Sequence, residues 1–251
     1  MKRYLYNYQT VVEFSESVPS HAVLLRCQPA SNACQTLEQE HMVVSPDYWL
    51  QAGIDAFYNR ILYGGATEPH KIFAYVSTGI VTTDTYILKY RGENLFLFKQ
   101  PTTLTTVKEP LMEATENVID AAYAICNWIN KNIVYEPLCT TVETTAAEVL
   151  ERKKGVCQDF AHLMIAFCRH QGIPARYVNG FLVGEGETHA WVEIFDGYNW
   201  LGFDPTHNCR ISDGYVKLAH GRDARDCSVN RGLYTGLANQ QTTIHVTLQE
   251  I

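Results

Sequence analysis

The sequence lacks the features that mark nucleic-acid-binding and membrane-spanning proteins. Its 251 residues include 20 Lys and Arg against 27 Asp and Glu, so the formal net charge is -7, and we expect no binding to nucleic acid or to anionic membranes. No apolar run approaches the ~20 residues that a membrane-spanning helix needs. The N-terminus alternates polar and apolar residues like a strand and has no apolar signal-peptide segment, which predicts a cytoplasmic location.

Metal-ligand spacings are missing as well. No two of the eight cysteines have the C-x-x-C spacing and no two histidines have the H-x-x-x-H spacing, so we expect no metal and no cofactor. Because no export signal accompanies the cysteines, we expect reduced thiols rather than disulfides. Hydrophobic residues make up 46% of the chain and we find no low-complexity tract, which argues against disorder.

The hydrophobic pattern changes near residue 105. Segments such as "RYLYNYQTVV", "KIFAYVST" and "NLFLF" have the two-residue period of strands, which predicts an N-terminal β-rich domain over residues 1–104. The polar, proline-bounded stretch "KQPTTLTTVKEP" is interpreted as a linker. Helical periodicity and then further strands follow over residues 105–251. This order predicts an α+β fold, with the helices packed on an antiparallel sheet.

The stretch "GVCQDF" places Cys157 at the start of a long apolar helical pattern. The first amides of a helix have no intrahelical partner, and the helix dipole puts partial positive charge there, so a thiolate at this point is stabilised. A thiolate is a nucleophile, but it still needs a base. Gly172 and Pro174 predict where this helix ends.

Two later segments, "HAWVEIF" and "YNWLGFD", flank the dipeptide Asp196-Gly197, a strong hairpin signal. A hairpin centred on this dipeptide places His189 directly opposite Asp204, and Trp191 opposite Gly202. An imidazole held by a carboxylate is an oriented base. One helix and one strand separate Cys157 from His189, a path that can return the chain to the thiol, so the three residues fit the nucleophile, base and orienting residue of acyl transfer.

These residues lie in segments that resemble a known family. "GVCQDFAHLMIAFCRHQGIPARYVNGFL", "THAWVEIF" and "NWLGFDPTHN" resemble the bacterial transglutaminase-like family, which has a papain-like fold. The segment "DAFYNRILYGGATEPHKIFAYVS" is similar to the β-rich domain usual ahead of that core. The resemblance implies that Cys157 is the nucleophile, His189 the general base and acid, and Asp204 the residue that orients the imidazole.

The expected function is acyl transfer on a peptide or carboxamide bond through a thioester on Cys157, most simply hydrolysis by a cysteine protease or amidase. Transfer to an amine, as in a transglutaminase, is the alternative on the same chemistry. The backbone amide of Cys157 is expected to donate to the oxyanion, and the sequence assigns no second donor. The expected partner is a peptide or protein substrate, and the oligomeric state is not predicted.

Three readings from other classes stay open: a peptide-binding module without catalysis, a metal enzyme built on His189, Asp204 and another histidine, and an interaction protein acting through its N-terminal domain. Among other residues, Asp159 suits the helix dipole, and His162 is interpreted as a packing residue. His207 is a candidate for a rim or substrate contact. Arg222, Asp223 and Asp226 are expected to pin a loop against the site.

Overall fold

The computed structural model describes residues 1–108, 115 and 117–251, which form strands and short helices. The strands are β1 (Lys2–Val18), β2 (His21–Leu25), β3 (Gln35–Ser45), β4 (Trp49–Ile54), β5 (Arg60–Ala66), β6 (His70–Thr83), β7 (Ile87–Lys89), β8 (Val134–Tyr135), β9 (Lys154–Gly155), β10 (Ala175–Leu182), β11 (Gly184–Gly186), β12 (His189–Phe195), β13 (Asn199–Asp204), β14 (Cys209–Arg210), β15 (Tyr215–Gly221), β16 (Asn230–Tyr234) and β17 (Gln240–Glu250). The helices are α1 (Leu95–Lys99), α2 (Val118–Asn132), α3 (Ala146–Arg152) and α4 (Cys157–His170), with a 3₁₀ turn at Thr103–Thr105.

The N-terminal sheets follow the two-residue period of the sequence. Along β1, the side chains of Tyr4, Tyr6 and Tyr8 are buried and the residues between them face outwards. Burying a large apolar side chain stabilises a fold by roughly 1.5–3 kcal/mol, so this face anchors the sheet. The strand order is β11-β17-β1-β6-β3, and a second sheet has the order β16-β2-β5-β4.

The core of the C-terminal part is a sheet with the strand order β14-β13-β12-β10-β15, and β7 also pairs with β13. Helix α4 packs on one face of this sheet, where the buried residues include Ala190, Val192 and Ile194. Almost all of α4 is buried, so the helix is the centre of this layer. The prediction of an α+β fold with helices on an antiparallel sheet is confirmed.

The helix ends show the expected local chemistry. Asn117 caps α2, and Thr145 caps α3 in a capping box with Glu148. Helix α4 ends at His170, Gln171 is its C-cap, and Gly172 follows with a φ of 74°, which suits glycine. The amide of Ile173 bonds back to the carbonyl of Cys168. The predicted end of this helix is confirmed.

Strand pairing crosses the boundary that the sequence predicts at residue 105. Near the end of the chain, β16 pairs with β2 and β17 pairs with β1 over eleven residue pairs. From the other side, β7 joins the C-terminal sheet through β13. The division into residues 1–104 and 105–251 stays a prediction about the sequence, and the two parts share sheets in the fold.

Two details before residue 108 differ from expectation. The segment "NLFLF" is not a strand but helix α1, because the Asn94 side chain accepts from the amide of Phe96 and caps a helical turn. The described part of the predicted linker is mostly exposed but is anchored at two residues: Leu104 and Thr105 are buried, and Arg169 of α4 donates to the Thr105 hydroxyl at 2.8 Å. Residues 109 and 110 of that linker lie outside the described residues.

The hairpin of β12 and β13 differs from its predicted register. The sequence predicts that His189 directly faces Asp204, but Val192 is the partner of Phe203, so the register is displaced by two residues. The direct pairing is therefore wrong. A displacement by two keeps both side chains on one face of the sheet, because side chains alternate with a period of two.

The turn explains this displacement. The amide of Asp196 bonds to the carbonyl of Asn199, so Gly197 and Tyr198, and not Asp196 and Gly197, are the central residues. Gly197 has a φ of 106°, a conformation that glycine adopts without strain. The Asp196 carboxylate stays outside the turn and accepts from the amides of Tyr198 and Asn199 at 2.8 and 2.7 Å.

Candidate active site

Cys157 is the first residue of α4, at a start that is fixed by neighbouring residues. The Asp159 carboxylate accepts from the amide of Val156 at 2.8 Å and from the hydroxyl of Thr140 at 2.6 Å. Gly155 leaves room for this carboxylate, since a Cβ there would lie 2.7 Å from the Cβ of Asp159. The thiol of Cys157 is partly exposed at the positive end of the helix dipole.

His189 begins β12 and links Cys157 to Asp204. Its Nε2 lies 2.7 Å from Oδ2 of Asp204. Burial opposes the charged imidazolium, but the Asp204 carboxylate and the neighbouring Cys157 thiol outweigh it and raise the pKa of His189 to about 9. The structure therefore brings together all three residues that the sequence singles out.

Asp204, at the end of β13, is buried and fully hydrogen-bonded. Its Oδ2 also accepts from Nδ1 of His207 at 2.7 Å and from the hydroxyl of Tyr215 at 2.8 Å, and its Oδ1 accepts from the amides of Thr206 and His207. Burial would raise the pKa of this carboxyl, but the donors from His189 and His207 outweigh it and hold the pKa well below its usual range. The carboxylate therefore stays charged.

The sequence analysis did not predict two of these hydrogen-bond donors, His207 and Tyr215. His207 contacts the Asp204 carboxylate itself, a role that the sequence analysis did not assign. The signal was available, because an aspartate commonly accepts from the amides two and three residues later, and that turn brings the histidine back to it. Tyr215 was missed. It lies on β15, which pairs with β10, so nothing local in the sequence connects it to Asp204.

Trp191 packs beside the candidate base. Its ring lies 6.4 Å from that of His189 at an interplanar angle of 26°. The predicted match of Trp191 with Gly202 is wrong, because Glu193 is the partner of Gly202. Gly180 of β10 gives the indole its space instead, since a Cβ there would lie 2.5 Å from the ring.

A buried charged cluster lies farther along the same face of the sheet. The Glu193 carboxylate accepts from Arg176, from Nζ of Lys217 at 2.8 Å and from the hydroxyl of Tyr86 at 2.7 Å. Burial would raise the pKa of Glu193, but the two cations outweigh it and lower the pKa to about 2. The Tyr86 hydroxyl accepts from Nε1 of Trp191 at 2.9 Å, which connects this cluster to the indole beside His189.

A metal ion could also bind at this cluster. One ring nitrogen of His189, one of His207 and one carboxylate oxygen of Asp204 lie within 4.8 Å of one another. The hydrogen bonds account for these positions, because two ring nitrogens and a hydroxyl converge on one carboxylate oxygen at 2.7–2.8 Å. An ion here would have to replace both nitrogen contacts. We therefore interpret the cluster as hydrogen-bonded, and elemental analysis of the purified protein tests the metal-enzyme alternative.

The other residues that the sequence singles out make hydrogen bonds of their own outside the group of Cys157, His189 and Asp204. Nε2 of His162 accepts from the amide of Ala224, and burial lowers the pKa of this imidazole to about 4, as suits a packing residue. Arg222 and Asp226 pair with each other at 2.8 Å, within the loop that follows β15. Asp223 accepts from the amide of Arg225 in the same loop.

All eight cysteines lie in the described residues, and all are free thiols. Burial raises the pKa of Cys27, Cys34 and Cys168 to about 12, so these thiols are poor nucleophiles at neutral pH. Among the residues that the structure describes, no helix is long and apolar enough to cross a membrane.

Two solved or sequenced relatives span nearly the whole chain. An uncharacterized protein of Mycobacterium leprae is 27% identical over 261 residues, which cover 93% of this chain and 90% of the relative. The crystal structure of a "Putative Cysteine Protease" from Cytophaga hutchinsonii matches with a TM-score of 0.83 and 25% identity, over 100% of this chain and 91% of that one. An uncharacterized protein of Mycobacterium tuberculosis is 33% identical over 156 residues, 55% of this chain and 48% of the relative.

Two family models match separate parts of the chain. The model of the bacterial transglutaminase-like N-terminal region matches residues 4–82, and the model of the transglutaminase-like superfamily matches residues 105–205, which include Cys157, His189 and Asp204. Together with the fold, these matches confirm the resemblance found in the sequence. Residues 105–205 are thus a transglutaminase-like core, and residues 4–82 a bacterial transglutaminase-like N-terminal region.

Proposed function

We propose that this protein is a thiol-dependent enzyme that cleaves peptide or carboxamide bonds through a thioester on Cys157. The observation that carries the proposal is the His189 imidazole, which is hydrogen-bonded to the buried Asp204 carboxylate and lies close enough to the Cys157 thiol for the thiol to raise its pKa. The three residues form the arrangement of nucleophile, base and orienting acid that acyl transfer requires. The transglutaminase-like core and the fold of the related crystal structure support thiol chemistry in general.

The proposed reaction has two halves. The Cys157 thiolate attacks the carbonyl carbon, the carbon–nitrogen bond breaks, and the departing amine takes the proton of the His189 imidazolium. A thioester remains. Water then attacks the thioester carbon and gives a proton to His189, which releases a carboxylic acid and restores the thiolate–imidazolium pair. The developing oxyanion is stabilised by the backbone amide of Cys157, one of the helix-start amides without an intrahelical partner.

The proposed substrate is a peptide or protein, and exposed apolar side chains in the loop that contacts the Gln158 side chain support this. Val142 is 70% exposed and its carbonyl accepts from the Gln158 side chain, next to the nucleophile. Leu138, in the same loop, is 100% exposed with a φ of 61°, a conformation that is costly for a residue other than glycine. Apolar side chains kept in water beside a nucleophile favour an apolar substrate group.

Hydrolysis is the favoured outcome because it needs only water, and transamidation to an amine is the second candidate because the thioester is common to both. The test incubates the protein with peptide and glutamine-amide donors, with and without an amine acceptor. We expect an acyl group on Cys157 by mass spectrometry and release of the free acid. Product that carries the amine would favour transamidation.

Two variants complete this test. Cys157→Ala should lose the acyl adduct and the activity, whereas Cys139→Ala, at another partly exposed thiol, should keep both. Activity that survives Cys157→Ala in a folded protein would refute the proposed nucleophile. The cytoplasmic location and the absence of nucleic-acid and membrane partners stay predictions from the sequence.

A further inference from the structure

Tyr135 is an exposed aromatic residue whose backbone is held beside the segment that leads into Cys157. It is the last residue of β8, which pairs in parallel with β9, so that Tyr135 is the partner of Gly155. The amide of Glu136 donates to the carbonyl of Gly155 at 3.0 Å. Because Gly155 precedes Cys157 by only two residues, this pairing fixes Tyr135 close to the proposed nucleophile.

The side chain of Tyr135 points towards the start of α4. Paired residues on neighbouring strands point to the same side, and a Cβ at Gly155 would lie 2.7 Å from that of Asp159 in the first turn of the helix. The Tyr135 ring accordingly packs on Phe160, with ring centroids 6.1 Å apart and an interplanar angle of 60°. Phe160 follows Cys157 by three residues, so both lie on one face of the helix. Tyr135 therefore lies on the face that presents the thiol.

The ring of Tyr135 is covered by the helix on part of its surface and open to water on the rest. Phe160 is 2% exposed, whereas Tyr135 is 50% exposed. Burial and the neighbouring Cys157 thiol raise the pKa of Tyr135, so the phenol is uncharged at neutral pH. The exposed Glu187, two residues before His189, is near enough to raise this pKa as well. A neutral aromatic surface thus borders the thiol, with a carboxylate nearby.

The loop that follows β8 carries further exposed apolar side chains and is tied to the same turn of α4. The Thr140 hydroxyl donates to the Asp159 carboxylate at 2.6 Å. In the same loop the side chains of Leu138 and Val142 are exposed. Exposed apolar side chains that are grouped in this way mark binding surfaces, and these residues follow Tyr135 directly in the chain.

A substrate can react with Cys157 only if its scissile carbonyl lies on the sulfur, so the side chain next to that carbonyl comes within reach of Tyr135. An aromatic ring packs favourably against aromatic and aliphatic groups, and the Glu187 carboxylate repels acidic ones. We propose that Tyr135 is a specificity-determining residue whose ring forms one wall of the substrate cleft and selects an aromatic or large aliphatic side chain beside the scissile carbonyl. The proposal rests on the proposed function.

The experiment compares the N-acetyl nitrophenyl esters of phenylalanine, leucine, glycine and aspartate. Attack by the Cys157 thiolate on the ester carbonyl forms the thioester and releases nitrophenolate, whose absorbance gives kcat/KM for each ester. The selectivity is the ratio of kcat/KM for the phenylalanine ester to that for the glycine ester. Comparison of this ratio between variants cancels the intrinsic reactivity of the esters. Iodoacetamide alkylation of Cys157 reports separately on the thiol, because this small reagent makes no use of the aromatic wall.

We expect Tyr135→Ala to lower the selectivity ratio about tenfold, the size of one aromatic contact together with the apolar area that it covers. The alkylation rate of Cys157 should stay unchanged. Tyr135→Phe keeps the ring and should keep the ratio of wild type. The matched control is Tyr198→Ala, at an exposed tyrosine in the turn between β12 and β13, which should also behave as wild type. The leucine ester should follow the phenylalanine ester, and the aspartate ester should react slowest.

Two results would overturn the inference. If Tyr135→Ala slows all four esters by the same factor, or leaves the ratio unchanged, the ring does not select the substrate. Loss of the ratio in Tyr135→Phe would show that the hydroxyl acts instead of the ring.

A second variant covers the case in which circular dichroism shows that Tyr135→Ala does not fold. Tyr135→Gln keeps a long side chain over Phe160 but loses the apolar ring, so its ratio should fall as well, and an unchanged ratio would refute the proposal. The proposed function fails separately: in that case mass spectrometry would find no acyl group on Cys157 of the wild-type protein with any of the esters.

Discussion

The substitution Asp204→Asn tests how the carboxylate acts on His189. It removes the negative charge and keeps one oxygen, which can still accept from the imidazole at the place of Oδ2, while the amide nitrogen takes the place of Oδ1 beside the backbone amides of Thr206 and His207. Related cysteine enzymes use asparagine in this role, so we expect the fold to survive. The change should appear in the protonation of His189 and only weakly in its position.

The magnitude follows from the pKa of His189. In wild type the pKa is about 9, whereas an unperturbed imidazole has a pKa of about 6.5. Without the charge of Asp204, burial is opposed mainly by Cys157, so the pKa should fall to about 6.5 or lower. A fall of about 2.5 units corresponds to about 3.4 kcal/mol less stabilisation of the imidazolium. At about pH 8 the protonated fraction would drop about 30-fold, and at about pH 6 by less than twofold.

The assay is single-turnover acylation with an activated amide, measured across this pH range. Acylation needs the imidazolium as the proton donor, so its alkaline limb should move from about pH 9 towards about pH 6.5 in Asp204→Asn. Asp204→Ala should be slower than Asp204→Asn at every pH, because no side-chain acceptor then holds the ring. Circular dichroism checks that each variant is folded.

Parallel pH profiles for wild type and Asp204→Asn would refute this reasoning. If Asp204→Asn lowers the rate by a constant factor and leaves the alkaline limb in place, the carboxylate orients the ring without setting its pKa. Equal rates for Asp204→Ala and wild type, with the fold intact, would show that another residue orients His189.

Two further substitutions test what supports the site. Gly155→Ala should slow acylation at least tenfold and destabilise the fold by about 1–3 kcal/mol, because the new Cβ displaces Asp159 from the start of α4. A denaturation midpoint and an acylation rate equal to those of wild type would contradict this. Glu193→Ala leaves Lys217 as a buried cation without its counter-charge and Arg176 with only Glu93 at 3.5 Å, so urea unfolding should show a loss of about 3–5 kcal/mol. A loss under about 1 kcal/mol would show that the cluster is not coupled.

The sequence predicts those parts of the site that depend on local chemistry. Caps, turns and periodicity predict the start of α4, its end just before Gly172, and the positions of His189 and Asp204 at strand ends. Even the register error at Gly197 did not separate His189 from Asp204, because a shift by two residues preserves the face of the sheet. The dipeptide Asp196-Gly197 predicted the hairpin correctly, but it did not predict which two residues lie at the centre of the turn.

The parts that the sequence could not predict depend on contacts distant along the chain. Tyr215 reaches Asp204 only through the order of strands in the sheet. The cluster around Glu193 brings together Arg176, Lys217 and Tyr86 from four segments, and each of these residues alone is typical of a protein surface or a strand. The burial of these residues depends on how the layers of the fold pack together, so it cannot be predicted from the sequence pattern of one strand.

The pairing of β1 with β17 has a consequence for how the chain folds as it is synthesised. β1 leaves the ribosome early and finds β6 soon afterwards, but its other edge has no partner until β17 emerges near the end of the sequence. Until then a long strand with buried tyrosines has one open edge, which is the kind of surface that pairs with other nascent chains. The second edge of β1 is thus covered only once β17, more than 200 residues later in the sequence, has been made.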